Sequence, residues 1–107
     1  IRVAKDARGT NAFQTNRNLK LSDDAWAESV PNLVIENNEV HCSHASAVGP
    51  IDEEQRFYLE SRGIPTKAAE RLIVGGFFDE VFDAFPGDDL RAQLDAAVAA
   101  KVQAVLA

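Results

Sequence analysis

The opening third of the chain alternates with a period of two. Ile1 and Val3 flank polar Arg2, the pattern of a half-buried strand, and Asp6 to Gly9 then reads as a turn. Phe13, Thr15 and Arg17 share one parity, which Leu19 and Leu21 continue, while Asn16 and Asn18 fall on the other. Ser22 to Ser29 is a turn-rich break carrying the single Trp, and Pro31 closes the way to a helix there. Leu33, Val34 and Ile35 form a short apolar run between Pro31 and Asn37-Asn38. A further strand follows, with Val40, Cys42, His44 and Ser46 on one face and His41, Ser43 and Ala45 on the other. No Asn-Gly or Asp-Gly hairpin dipeptide joins these strands. Short strands with polar corners suit the coils of a parallel β-solenoid better than a meander, although no clean fixed-period repeat is visible.

The period changes after Gly49-Pro50. Asp52 predicts an N-cap with Gln55 as the return half of a capping box, and Glu53 and Glu54 place negative charge in the first turn. Arg62, a left-handed Gly63, Ile64 folding back on Leu59, and Pro65 predict the stop, so this helix spans about Asp52 to Arg62. Thr66 is positioned to cap a second helix, with Ala69, Leu72, Ile73, Phe77, Val81, Phe82 and Phe85 at helical spacing and Val74 and Phe78 widening the stripe. Gly75-Gly76 in its middle costs roughly 1 kcal/mol per Gly against Ala. Two accounts fit that pair: close packing of another backbone, or a bend that admits a partner. Pro86-Gly87 is expected to end the second helix. Asp88 then caps a third, whose seam is Leu90, Leu94, Val98, Val102 and Val105.

Composition narrows the class. Of 107 residues 46% are hydrophobic, which argues for a folded domain, and the formal charge of -6 with no basic cluster argues against a nucleic-acid surface. No apolar run approaches the ~18 residues of a membrane span, and no signal-peptide pattern opens the chain. One Cys precludes an internal disulfide and fits a reducing compartment. A start at Ile1 with no Met anywhere gives the expectation of a piece cut from a longer polypeptide.

Only His41 to His44 groups residues capable of site chemistry. In an extended chain Cys42 and His44 point the same way with Cα atoms roughly 6.5–7 Å apart. They would offer one soft and one borderline ligand, but two ligands do not close a tetrahedral site, so any site borrows from another chain. The bland alternative is that Cys42 is a small buried hydrophobe. A thiol–imidazole nucleophile lacks an orienting third group, and a self-contained metalloenzyme lacks ligands. Asp52-Glu53-Glu54 and Asp88-Asp89 read as helix starts rather than acid–base machinery, and no Walker-type loop is present.

Cys42-Ser43-His44-Ala45, Gly49, Ile51-Asp52, Gln55, Phe57-Tyr58-Leu59 and Ser61-Arg62-Gly63-Ile64 form one extended motif. Upstream stand Asn16-Arg17-Asn18 with Leu19, Leu21 and Ser22, and then Pro31-Asn32-Leu33. Together they resemble the C-terminal part of the SufB/SufD family of iron–sulfur cluster assembly scaffold proteins. His44, where the SufB-like branch tends to carry Glu, favours the SufD-like side; Ala45-Ser46-Ala47 departs a little from the commoner Gly-Ala-Thr.

The resemblance implies the last coils of a right-handed parallel β-helix over residues 1–49, then a C-terminal helical domain of about three helices over 50–107. It implies a cytoplasmic, non-catalytic scaffold in a SufBCD-type complex. The β-helix end would meet a SufB-like partner, and the helices would dock the ABC-type ATPase SufC, where ATPase activity resides. His44 becomes the candidate metal or cluster residue, shared with the partner chain, and Cys42 a weaker companion. No cofactor is expected to stay bound to this chain alone; an iron–sulfur cluster intermediate belongs to the full complex. Candidate docking residues are Phe57, Tyr58, Arg62, Phe78 and Phe82. The alternative is a structural adaptor with no direct cluster role. Neither nucleic acid nor membrane is an expected partner, and the isolated chain is expected to self-associate through its extended segments.

Overall fold

A computed structural model describes residues 1–107. The chain forms two compact units, one of residues 1–20 and 24–49, the other of residues 21–23 and 50–107.

The first unit holds four strands: β1 (Arg2–Val3), β2 (Asn11–Lys20), β3 (Val34–Ile35) and β4 (His41–Pro50). β1 pairs in parallel with β3, Arg2 opposite Val34 and Val3 opposite Ile35, and β2 pairs with β4 in a second two-stranded sheet. The bonds between them recur at a nearly constant separation. The Ile1 amino group donates to the Asn32 carbonyl (2.6 Å), 31 positions away, and Asn37 Nδ2 donates to the Lys5 carbonyl (2.7 Å), 32 positions away. Between these, Val34 N–H reaches the Ile1 carbonyl (2.9 Å) and Glu36 N–H the Val3 carbonyl (3.0 Å). The path thus returns alongside itself after one circuit, which no hairpin does.

Corners are made locally. Gly9 takes φ 69°, Thr10 Oγ1 donates to the Ala7 carbonyl (2.8 Å), and beyond the corner Gly9 N–H and His41 N–H bond the carbonyls of Glu39 (2.8 Å) and Thr10 (2.9 Å). Along β2 Ala12, Asn16, Asn18 and Lys20 are half-buried on one parity, where Gln14 is exposed; on the other Phe13, Thr15 and Arg17 are exposed and Leu19 is half-buried. Asn18 Nδ2 donates to Asn16 Oδ1 (2.8 Å), so the less exposed face is partly satisfied by its own amides. Val3 is the buried apolar residue of this unit. β2 and β4 run ten residues each, longer than the short segments the sequence pattern indicates.

The second unit holds α1 (Glu53–Ser61), α2 (Thr66–Phe82) and α3 (Asp88–Val105). At α1 the Asp52 carboxylate accepts from Glu54 N–H (2.8 Å) and Gln55 N–H (3.1 Å). Gly63 at φ 86° and Ile64 N–H bonded to the Leu59 carbonyl (3.2 Å) form the expected stop. The other two caps differ from expectation. Thr66 is already helical behind Pro65, Asp88 is already helical behind Gly87 at φ 99°, and neither start has a side-chain cap. Proline at the first fixes φ near the helical value, so the chain enters α2 without needing the hydroxyl. α2 ends at Phe82 rather than Pro86, because Ala84 and Phe85 N–H turn back on the Val81 and Phe82 carbonyls in tighter bonds.

Ala69, Val74 and Phe82 of α2 and Val102 of α3 form the buried core. Leu72, Val81, Leu90 and Val105, read as inward from helical spacing, are exposed. Charge pairs supplement this small core. Arg56 of α1 reaches Glu53 (4.0 Å) and Glu70 of α2 (3.5 Å). Arg91 of α3 meets Asp79 (3.0 Å), Asp83 and Asp95 (3.6 Å). Gly75 and Gly76 are both exposed, and a Cβ added at either would meet nothing within 4 Å. The close-packing account of that pair therefore fails within this chain.

Candidate functional site

β4 carries both histidines and the cysteine. Ladder bonding starts at its first residue, where His41 N–H donates to Thr10, and the alternation that follows puts Cys42 and His44 on one face and His41 on the other. Cys42 is half-buried and His44 exposed, as is His41. No Lys, Arg, Asp or Glu occurs along the ten residues of β4. Its only neighbour in the sheet is β2, so its other edge is unpaired. No three His, Cys, Asp or Glu side chains in the chain cluster closely enough to hold a metal ion. Within this chain the site is thus an exposed imidazole and a recessed thiol on one strand face, beside an unpaired backbone edge.

The candidate docking residues divide. Phe57 and Tyr58 on α1 are 71% and 56% exposed, and the Arg62 guanidinium sits 5.0 Å from the centre of the Tyr58 ring. That cation–π contact keeps a positive charge beside the ring. Phe82 is only 7% exposed and belongs to the core, stacked at 5.8 Å on half-buried Phe78, which meets Phe77 edge-on at 5.3 Å. At that exposure Phe82 packs the core of the helical unit and offers little surface to a partner.

Two features were not read from the sequence. One is Arg91, visible only as a lone base among Asp79, Asp83, Asp88, Asp89 and Asp95. The other is a groove of about 360 Å³ between α2 and α3. Spacing alone does not reveal it, since its walls come from two helices.

The profile of the SufBD core domain of the SUF system for FeS cluster assembly matches residues 1–77. An iron–sulfur cluster assembly SufBD family protein of Mycobacterium tuberculosis is 50% identical over 92% of this chain and 25% of its own length. The iron–sulfur cluster assembly proteins SufD of Bacillus subtilis and Escherichia coli are 37% and 39% identical, over 95% and 88% of this chain and 23% and 22% of theirs. The chain thus spans about a quarter of the length of these relatives. No helix is long and apolar enough to cross a membrane. With the profile covering most of its residues and SufD proteins among its relatives, the chain belongs to the SufBD family of iron–sulfur cluster assembly proteins.

Proposed function

We propose that the chain serves as part of a non-catalytic, SufD-like scaffold subunit in a cytoplasmic SUF complex. Its strands are read as the closing coils of a right-handed parallel β-helix, supported by parallel pairing at a separation of 31–32 residues. The observation that carries the reading is β4: an uncharged ten-residue strand with an unpaired edge and an exposed His44. Such an edge is a template for a strand from another chain. A SufB-like scaffold seated there would bring further ligands beside His44 and Cys42, which alone are too few for a cluster intermediate. The intermediate is the cargo of the complex, and the partner completes its site.

The helical unit is read as the dock for the ABC-type ATPase SufC, whose hydrolysis of ATP would reshape the scaffold pair. Exposed Phe57 and Tyr58, with Arg62 alongside, form the centre of that surface. The test is cluster assembly by the complete complex containing the full-length subunit. His44→Ala is expected to lower assembly at least about tenfold, a barrier change of ~1.4 kcal/mol, with subunit association unchanged. Unchanged assembly would leave only the structural adaptor. Loss of ATPase binding on Phe57→Ala, read by pull-down, checks the other half of the proposal.

A further inference from the structure

β2 and β4 each run ten residues, and His41 N–H at the start of β4 donates to the Thr10 carbonyl just ahead of β2 (2.9 Å). A bond joining the two starts makes the pair parallel, since an antiparallel one would set His41 against Lys20. It places His41 beside Asn11, Cys42 beside Ala12 and His44 beside Gln14. Adjacent strands lie about 4.8 Å apart, and paired residues put their side chains on one face. Gln14 is thus the nearest residue to His44 on that face; Cys42 and Ser46, two positions along β4, lie roughly 6.5–7 Å away. Gln14 and His44 are both exposed, and neither side chain has a hydrogen bond or ion pair within the chain. Asn16, the next amide on the face, is already engaged, its Oδ1 accepting from Asn18 Nδ2 (2.8 Å). No carboxylate occurs on β2 or β4 to serve the imidazole.

A histidine that holds a metal ion through one ring nitrogen donates the other N–H to an oxygen, which fixes the tautomer and the direction of the ring. In the uncovered chain water serves both the imidazole and the amide. A strand seated on the open edge of β4 displaces that water, and a ring N–H left unpaired there is destabilising. We infer that Gln14 is the positioning residue for His44: its side-chain oxygen accepts the N–H of the ring nitrogen that does not hold the cargo. That role rests on the reading of His44 proposed above and adds the group that aims it. Gln14 acts through the imidazole and has no contact of its own with the cargo.

The experiment measures cluster assembly by the complete complex carrying the full-length subunit. It compares wild type with Gln14→Leu, Gln14→Thr, Gln14→Glu, His44→Ala and the double variant Gln14→Leu/His44→Ala. Leu has no acceptor, and Thr keeps a polar, strand-favouring side chain that is two bonds too short to reach. Each of these two is expected to lower assembly about tenfold. Gln14→Glu keeps an acceptor oxygen at the same reach and should stay within about threefold of wild type. In the His44→Ala background Gln14→Leu should lower assembly no further, because the amide has no ring left to aim. Iron(II) affinity of the complex, measured by anaerobic equilibrium dialysis, should fall about tenfold in Gln14→Leu. Melting temperature and subunit association should match wild type in every Gln14 variant. Full assembly by Gln14→Leu and Gln14→Thr, with His44→Ala impaired, would overturn the inference and leave the reading of His44 standing. An equal loss from Gln14→Leu with and without His44 would also overturn it, as the mark of a structural role. Unchanged assembly by His44→Ala would remove the reading of His44, and the role of Gln14 with it.

Discussion

Asp52 and Arg91 illustrate two ways in which single residues hold the small helical unit. Asp52 satisfies two orphan amides at the start of α1. Asp52→Ala should cost about 1 kcal/mol in urea denaturation of the 107-residue chain, and Asp52→Ser should recover most of it. Arg91 is the lone base beside three carboxylates on both sides of the α2–α3 corner. Each exposed pair contributes only ~0–1 kcal/mol, so Arg91→Ala should lose about 1 kcal/mol overall. Part of that loss is repulsion among Asp79, Asp83 and Asp95 once the guanidinium is gone. Raising salt from ~0.1 to ~1 M shortens the Debye length from about 10 to about 3 Å, so the gap between variant and wild type in thermal melts should narrow. A gap that ignores salt would mean Arg91 acts through packing instead. The residues legible in advance were those whose effect is local: Asp52 acts two and three residues away, and Gly63 at φ 86° acts on its own backbone. Arg91 reaches twelve residues back to Asp79, and no spacing rule marks such a pair.

For whole elements, the type of each was legible and the buried face only in part: Ala69, Phe82 and Val102 are buried as their spacing indicates. Helical spacing pointed Leu72 and Val81 inward, yet both are 57% exposed, and Val74 took the core position. A wide apolar stripe on α2 offers several faces, and which one is buried depends on where α1 and α3 attach. The two sheets show the same limit. Parity separated Phe13 from Asn16 and Asn18, but hydrophobicity alone would have turned Phe13 inward, and the Asn side is the less exposed one. Gly75-Gly76 carries the element-scale prediction. With open space around Gly76, Gly76→Ala should stabilise the unit by roughly 1 kcal/mol, because Ala lowers the backbone entropy lost on forming helix. Chemical denaturation decides it, and a destabilised variant would reveal close packing at that position.

At the scale of the whole molecule, unpaired backbone edges work against net charge. Four strands make two sheets of two, so each has only one strand neighbour, and β4 lacks the Lys, Asp or Glu that guards exposed edges. The formal charge of -6 opposes association at long range and nothing on β4 opposes it at contact. The two forces differ in range and can be separated by salt. At ~0.01 M ionic strength the Debye length is about 30 Å and repulsion should hold the 107-residue chain largely monomeric at micromolar concentration. Near 0.15 M it falls to about 8 Å, and strand-edge pairing should produce dimers in sedimentation equilibrium. Ala45→Lys, placing a charge in the middle of β4, should shift the chain back toward monomer at the higher salt without lowering its melting temperature. If association falls as salt rises, ion pairs rather than backbone edges join the copies. A chain that stays monomeric throughout would mean that β4 is not open for pairing, and the seat proposed for a scaffold partner beside His44 would have to lie elsewhere.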